Sequence, residues 1–400
     1  MNQPSSANPG AGPATPATPP ATPAPAAPAP AVQPPAAQAP AGAPPAADAG
    51  KAALRSAPAP AATGRVEMLS SEFAMGWGAV SPAKHHASVY AMLDGEVIGF
   101  SAANISRADL DRARREGTLD AYAFVIVFTS PVPAGQVQSI KVFAAGHAAE
   151  LARTKTCGLD RSPPLRVFLM GSPRSGTSEL GRTLSKSLAL AWMGEGHAAP
   201  LFQSAATALS GDEASPNGLV RFMAQQNLRQ VAVEAARRAY FYMHGSASFL
   251  DKTPGIPMIL SAPFLNECFP GSRFIFLRRN PVGNVLSRMV KFGGNFESHC
   301  RDWAGAMNEW LKIRTRLPHY VEIEQEEMLA NPGKIAGTVA DYLGLPDQAQ
   351  AIADSLKEGS MERTGAGVGK TERSQTGWTP EQLKKFDEIC GPAMQVFGYR

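Results

Sequence analysis

The chain contains neither a long apolar run nor a cysteine framework, and both absences exclude classes of protein. No window of its 400 residues approaches the roughly 18 consecutive apolar side chains of a membrane-spanning helix, so no transmembrane segment is predicted. The four cysteines have neither C-x-x-C nor Cys/His spacing, which argues against a zinc site, and they are too scattered to predict a disulfide framework. We therefore expect a reduced, cytoplasmic setting and no bound metal.

A strong charge of either sign is also absent. The 38 basic and 34 acidic side chains leave a formal net charge of only +4. Nucleic-acid-binding domains usually concentrate basic residues on one surface, which this balance does not indicate. Much of the basic character lies near candidate anion sites in the second half of the chain, so the expected partner is a small anionic molecule rather than a nucleic acid.

Residues 1–62 contain almost no aromatic or branched side chains. Pro and Ala dominate this segment, with scattered Thr, Gln and Gly. Such a composition cannot bury enough apolar surface to offset the entropy of ordering, so a disordered tail with polyproline II character is predicted. The segment has neither the charged start and apolar run of a signal peptide nor the arginines of a transit peptide.

Residues 63–150 predict a small β-sandwich-like accessory domain. Short apolar runs alternate with turn residues, of which Asp94-Gly95 is typical of a tight hairpin. Three short motifs, at 76–78, 93–95 and 106–109, resemble those of a small β module found beside bacterial glycosyltransferases. The resemblance implies a packing or glycan-contact role, and a purely structural role is equally compatible with the residues.

Residues 163–400 predict an α/β domain, in which a parallel sheet of about five strands is flanked by helices. Short apolar segments alternate there with stretches of helical periodicity. Strands are predicted at 167–170, 188–193, 248–250, 273–277 and 320–323. Helices are predicted after the first strand and at about 217–244, 256–268, 281–292, 299–316, 332–343 and 380–396.

The most informative segment is Val167-Phe-Leu-Met-Gly-Ser-Pro-Arg-Ser-Gly-Thr-Ser178. It predicts a strand, a tight loop and a helix N-terminus, an arrangement that binds phosphate through backbone N–H groups and the helix dipole. Gly171 and Gly176 have the spacing of the ATP-binding G-x-x-x-x-G-K-[ST] loop. However, Thr177 occupies the position of its lysine, and the cation of this loop is Arg174. Anion binding is therefore expected, and ordinary Mg-ATP chemistry is not.

This loop resembles the 5′-phosphosulfate loop, P-R-S-G-T-[ST], of sulfotransferases that use 3′-phosphoadenosine 5′-phosphosulfate (PAPS), in particular a bacterial branch related to carbohydrate and protein-tyrosine enzymes. The resemblance implies that the loop binds the phosphosulfate. It also implies that Arg174 balances charge on the bridging oxygen as the nucleotide leaves. The implied contacts are Arg174, Ser175, Gly176, Thr177 and Ser178.

Further segments match this family in the expected order. Arg279 and Ser287, eight positions apart after an apolar strand, correspond to the family's 3′-phosphate ligands. The guanidinium offers a planar fork of donors to phosphate and the hydroxyl adds another. Lys252, in Asp-Lys-Thr-Pro, is implied to face the phosphosulfate or the acceptor. The Gly-rich, basic segment near 365–374 resembles a closing segment of relatives and offers Lys370 and Ser374 as nucleotide contacts.

A base near the acceptor hydroxyl would accept its proton during transfer. Glu195 follows the predicted second strand, where protein-tyrosine members carry a carboxylate. His197 is the competing candidate, because imidazole titrates near neutral pH and cytosolic relatives use His. Both residues remain candidates, with Glu195 preferred.

These observations predict an enzyme that moves a sulfuryl group from PAPS to a hydroxyl, with a saccharide or glycolipid as the expected acceptor. No metal is needed for this transfer. A P-loop kinase acting on a small molecule with Mg-ATP is the alternative enzyme, although Thr177 argues against it. A non-catalytic nucleotide- or glycan-binding protein is the other alternative, although Arg174, Lys252 and Arg279 are all present.

Overall fold

The computed structural model describes residues 62–80, 86–159, 163–210, 218–361 and 372–399. All of them belong to one compact unit, Ser56–Arg400. The predicted tail, apart from residue 62, lies outside the described residues, and so does Lys370. No helix of the described part is long and apolar enough to cross a membrane.

The described residues 62–80 and 86–159 fold into two small sheets that share one core. Their elements are β1 (Ala62–Leu69), β2 (Phe73–Val80), β3 (Ser88–Leu93), β4 (Glu96–Ala102), α1 (Ala108–Arg115), β5 (Tyr122–Val127), β6 (Lys141–Ala144) and β7 (Ala152–Leu159). One sheet has the order β5-β2-β1-β7 and the other β4-β3-β6. Val66 and Ile126 of the first sheet pack in the same buried cluster as Val89 and Val142 of the second. The predicted N-terminal β region is therefore present.

The tight turn predicted at Asp94-Gly95 joins β3 to β4, which pair antiparallel. Asp94 has φ 51° and Gly95 has φ 89°. Two consecutive left-handed residues match the right-handed twist of the flanking strands, which is why Asp-Gly is favoured here. The sequence analysis did not predict α1 or β7, and β7 pairs with β1 beyond residue 150. The division of the chain into domains near 150–163 stays a prediction.

The second half of the chain forms a five-stranded parallel sheet of order β12-β11-β8-β10-β9. The strands are β8 (Arg166–Gly171), β9 (Ala191–Trp192), β10 (Phe249–Lys252), β11 (Arg273–Arg278) and β12 (Tyr320–Glu324). The helices are α2 (Thr177–Leu188), α3 (Ala198–Ser210), α4 (Gly218–His244), α5 (Ile256–Cys268), α6 (Pro281–Phe292), α7 (Phe296–Ile313), α8 (Gln325–Ala330), α9 (Pro332–Leu343), α10 (Ala349–Met361) and α11 (Pro380–Phe397). The predicted parallel α/β architecture is confirmed.

One strand and three helices differ from the sequence-based predictions. The strand predicted at 188–193 is only the two residues Ala191 and Trp192. Leu188 instead continues the buried stripe of α2 with Leu180 and Leu184, and it is the last residue of the helix, followed by the C-cap Ala189 with φ 51°. Helices α3, α8 and α10 were not predicted. Each has only a short stretch of apolar periodicity directly after another element, and no residue pattern in the sequence marks where the helix begins.

Strand β8 lies at the centre of the sheet, between β10 and β11, and all six of its residues are buried. Its side chains alternate between two apolar layers, as expected for a strand covered on both faces. Phe168 and Met170 belong to the larger buried cluster. Val167 and Leu169 belong to the cluster that includes Leu180 of α2. Because both faces of β8 are buried, the position at which the strand ends is fixed. The position at which the following loop begins is fixed with it.

A buried ionic contact joins the N-terminal β region to the parallel sheet. Glu72 Oε1 accepts a 2.6 Å hydrogen bond from Arg166 Nη2, and Arg237 Nη2 lies 3.5 Å from the other carboxylate oxygen. The side chains of Arg166 and Glu72 are only 5% and 11% exposed. Beside them, Phe73 stacks on Phe241 with ring centroids 4.5 Å apart.

Replacing Glu72 with Ala is expected to lower the free energy of unfolding by about 3–5 kcal/mol, because two guanidinium groups lose their buried counter-ion. Urea unfolding at equilibrium measures this change. Glu96→Ala, at an exposed glutamate of the same β region, is the control and should stay within about 0.5 kcal/mol of the wild type. A Glu72→Ala protein as stable as the control would show that the contact contributes nothing to the fold.

Candidate functional site

Most of the site residues predicted from the sequence lie at the carboxyl edge of the parallel sheet. The loop after β8, the segment after β9, the end of β10 and the start of α6 after β11 all meet there, because these strands are neighbours and run in the same direction. In open α/β sheets this edge is where ligands bind. The strand order therefore assembles residues that are more than a hundred positions apart in the chain.

The loop after β8 has the backbone conformation of an anion-binding loop. Gly171 lies so close to β11 that a Cβ atom on it would be 2.2 Å from the carbonyl oxygen of Leu277. Arg174 and Gly176 both have positive φ, 73° and 90°, and Gly176 directly precedes the first residue of α2. Successive turns of this kind direct N–H groups toward one point at a helix N-terminus.

The loop residues differ in exposure. Ser175 and Thr177 are buried within the loop, whereas Arg174 and Ser178 are exposed to solvent. The exposed guanidinium of Arg174 can therefore reach a ligand at the edge of the sheet.

The two predicted phosphate-binding groups are in direct contact. Arg174 Nε donates a 2.9 Å hydrogen bond to Ser287 Oγ, and Arg279 Nη1 donates a 3.1 Å bond to the carbonyl oxygen of Arg174. The Arg279 guanidinium also folds back over α6, since a Cβ atom on Gly283 would lie 3.1 Å from its Nε. The three predicted ligands Arg174, Arg279 and Ser287 thus form one cluster.

The electrostatics of this cluster favour an anion. Burial lowers the pKa of Arg279 from its ordinary value, Glu326 opposes that shift, and the nearby Arg174 adds to it. Both guanidinium groups remain charged in a protein. A bound phosphate would add further negative charge next to these two adjacent arginines. Glu326 was not singled out from the sequence; its Oε1 accepts a 3.0 Å bond from the backbone N–H of Asn280.

A second cluster contains both candidate bases. Lys252 is 4% exposed and forms a short ion pair with Glu195 Oε1. The other carboxylate oxygen, Oε2, lies 3.2 Å from His197 Nε2. The side chains of Glu195 and His197 are 41% and 62% exposed, so both can reach an acceptor from solvent. The structure brings Lys252, Glu195 and His197 together.

Asp251 supports this second cluster, and the sequence analysis did not assign it a role. Its Oδ2 accepts a 2.6 Å bond from Tyr240 OH, and its Oδ1 accepts a 2.9 Å bond from Thr253 Oγ1. Thr253 Oγ1 in turn accepts a 3.4 Å bond from the N–H of His197. Burial raises the pKa of Asp251, while its bonds from Tyr240 and Thr253 oppose that rise. At 1% exposure this carboxyl cannot meet an acceptor, so it orders the segment around Glu195.

Ser374, a further predicted nucleotide contact, does not join either cluster. Ser374 is exposed in a short 3₁₀ turn after residue 372, and its hydrogen bond goes to Glu372 at 3.5 Å. Lys370 lies outside the described residues. The nucleotide contacts expected from Lys370 and Ser374 therefore stay predictions.

Residues 164–349 match the model of a family described as the sulfotransferase family. The matched residues are 186 of the chain's 400, and this part of the chain is similar to sulfotransferases. The matched residues include both clusters described above. The match agrees with the sequence-based prediction of an enzyme, and the reading as a non-catalytic binding protein is not supported. The kinase alternative is also not supported, in keeping with Thr177 at the position of the P-loop lysine.

Solved structures resemble this chain at low identity. The sulfotransferase domain of the olefin synthase from Synechococcus PCC 7002 is 18% identical, with a TM-score of 0.40, and the match covers 60% of this chain and 97% of that domain. A mouse sulfotransferase complexed with PAP is 14% identical, with a TM-score of 0.35 and coverage of 59% and 86%. A sugar kinase from Janibacter sp. HTCC2649 is 17% identical, with a TM-score of 0.28 and coverage of 46% and 98%. No curated protein matches the sequence.

Proposed function

We propose that this protein is a sulfotransferase that takes its sulfuryl group from PAPS and transfers it to a hydroxyl of a saccharide or glycolipid. The observation that carries the proposal is the contact between Arg174, Ser287 and Arg279. This contact brings Arg174, the cation of the loop, next to Arg279, a second cation that is distant in sequence. PAPS has two anionic ends, the 5′-phosphosulfate and the 3′-phosphate, and this cluster offers donors to both.

The loop 174–178 holds the 5′-phosphosulfate, and Arg279 with Ser287 holds the 3′-phosphate. Backbone N–H groups and the N-terminus of α2 contribute to the first pocket. Arg174 moves from Ser287 onto the bridging oxygen, where negative charge develops as the nucleotide departs. Lys370 and Ser374 are further candidate contacts to the nucleotide.

PAPS supplies the sulfuryl group: a bond forms between sulfur and the acceptor oxygen, and the bond from sulfur to the bridging phosphate oxygen breaks. Glu195 accepts the proton of the acceptor hydroxyl. Lys252 fixes one oxygen of this carboxylate, and the other remains within reach of His197 and solvent. His197 is the second candidate for the same proton.

The saccharide or glycolipid acceptor is supported by the resemblance of residues 76–78, 93–95 and 106–109 to a module found beside bacterial glycosyltransferases. We place the reaction in the cytoplasm, where the buried free thiols of Cys268, Cys300 and Cys390 stay reduced.

Incubation of the purified protein with sulfur-labelled PAPS and a panel of saccharides, glycolipids and phenols tests the proposal. The expected result is label on a carbohydrate hydroxyl, together with release of adenosine 3′,5′-bisphosphate. Label on the phenols alone would overturn the acceptor class but not the transfer. In a parallel thermal-shift assay, stabilisation by Mg-ATP and not by adenosine 3′,5′-bisphosphate would contradict the use of PAPS.

A further inference from the structure

One buried side chain of α6 contacts the loop after β8, which we call the phosphate loop. Asn284 is fully buried and lies between Arg279 and Ser287 in sequence. Its Nδ2 donates to the carbonyl oxygen of Pro173 at 3.0 Å and lies 3.2 Å from Ser175 Oγ. Its Oδ1 accepts from Ser172 Oγ at 3.4 Å. One amide therefore contacts three residues of the loop, namely Ser172, Pro173 and Ser175.

The chemistry of these contacts requires an amide. A backbone carbonyl can only accept a hydrogen bond, so the group that faces Pro173 O must be a donor. The same side chain must also accept from Ser172. Among side chains of this size only asparagine offers a donor and an acceptor side by side, because aspartate lacks the N–H and leucine lacks both.

The position of Asn284 on α6 connects the two pockets of the proposed function. Ser287 follows Asn284 by three residues, so the two side chains lie on neighbouring positions of the same helical face. Asn284 contacts the loop that takes the 5′-end of the nucleotide, and Ser287 belongs to the pocket for its 3′-end. Asn280, the N-cap of the helix, accepts from the N–H of Val282 at 2.9 Å, which fixes the start of α6.

We propose that Asn284 is a positioning residue that sets the distance between the two anion pockets by locking the phosphate loop onto α6. The inference rests on the proposed use of PAPS. A ligand that carries both phosphates binds more tightly because of these contacts, since a loop that is already in place needs no ordering when the second phosphate binds. The affinity for a ligand that carries only the 3′-phosphate does not depend on these contacts.

Asn284→Asp is the decisive variant, because it keeps the size of the side chain and its acceptor while removing the donor to Pro173 O. We measure by calorimetry the dissociation constants of adenosine 3′,5′-bisphosphate and adenosine 3′-monophosphate. The variant should bind the monophosphate as the wild type does. The advantage of the bisphosphate over the monophosphate should fall about ten-fold or more, as expected when a buried hydrogen-bonding group loses its partner.

The matched control is Val285→Thr, an isosteric change at the next residue, which is equally buried but packs in the apolar core. It should lower stability and leave the ratio of the two dissociation constants unchanged.

If Asn284→Asp does not fold, Ser172→Ala removes one of the three contacts without altering Asn284, and the ratio should then fall by a factor of about three.

The outcomes separate this inference from the proposed function. A wild-type protein that does not prefer the bisphosphate contradicts the use of PAPS, whatever the variants do. A wild type with that preference, together with an Asn284→Asp protein that has the same ratio, shows that Asn284 only fills space and overturns the inference. A lower ratio in Val285→Thr as well would also overturn it, because any loss of packing would then suffice.

Discussion

Replacing Glu195 with Gln is expected to lower kcat by about 10²–10⁴-fold, the usual loss when a general base is removed. Glutamine keeps the shape of the side chain but cannot accept the acceptor proton as a carboxylate does. It also removes the charge that pairs with the buried Lys252. The dissociation constant of adenosine 3′,5′-bisphosphate should change by less than about three-fold, since Glu195 belongs to the other cluster.

His197→Gln is the matched variant for this prediction, because His197 lies 3.2 Å from the same carboxylate. Loss of the imidazole should reduce kcat less than loss of the carboxylate, by about ten-fold or below. Single-turnover transfer from PAPS to a fixed acceptor measures both variants. If Glu195→Gln retains the wild-type rate while His197→Gln does not, the imidazole is the base and the assignment is reversed.

Arg174→Ala is expected to lower kcat by about 10²–10³-fold, comparable to the removal of one donor that stabilises developing charge. The side chain is exposed and bonded to Ser287 at 2.9 Å, so it can move onto a departing phosphate oxygen without rearrangement of the fold. Ground-state binding of the nucleotide should weaken less than the rate, because the interaction strengthens as charge accumulates on the bridging oxygen.

Arg182→Ala serves as the control for Arg174. Arg182 is an exposed arginine of α2, one turn beyond the loop, whose Nε donates to the carbonyl oxygen of Ser178 at 3.3 Å. Arg182→Ala changes the net charge by the same amount as Arg174→Ala but keeps Arg174 in the loop. Its kcat should remain within about two-fold of the wild type. Equal losses in the two variants would indicate a general charge effect instead of a specific role of Arg174.

The features predicted correctly from the sequence depend on local signals. The loop after β8 is marked by Gly171 and Gly176, whose backbone conformations few other residues adopt. The parallel sheet follows from short apolar runs that are buried on both faces. The Arg279 and Ser287 pair lies within one strand–helix unit, so its spacing in sequence brings both residues next to Arg174, while their binding of phosphate stays a prediction.

The features that were missed depend on contacts between distant segments. Asn284 has no motif of its own, and its role emerges only when α6 packs beneath the loop, more than a hundred residues away in sequence. Asp251 belongs to a quoted motif, yet its partner Tyr240 lies in the preceding helix. The ion pair between Glu72 and Arg166 likewise joins two regions that were predicted separately. Periodicity and spacing carry no information about such pairs.

The central claim is that two cationic pockets joined through Arg174, Ser287 and Arg279 hold the two ends of one nucleotide. Calorimetric titration of the wild-type protein with adenosine 3′,5′-bisphosphate, adenosine 5′-monophosphate and adenosine 3′-monophosphate tests it directly. Each phosphate should contribute charge-assisted hydrogen bonds, so the bisphosphate is predicted to bind at least about 100-fold more tightly than either monophosphate. Three dissociation constants within a few-fold of one another would contradict the claim, because only one phosphate would then be bound.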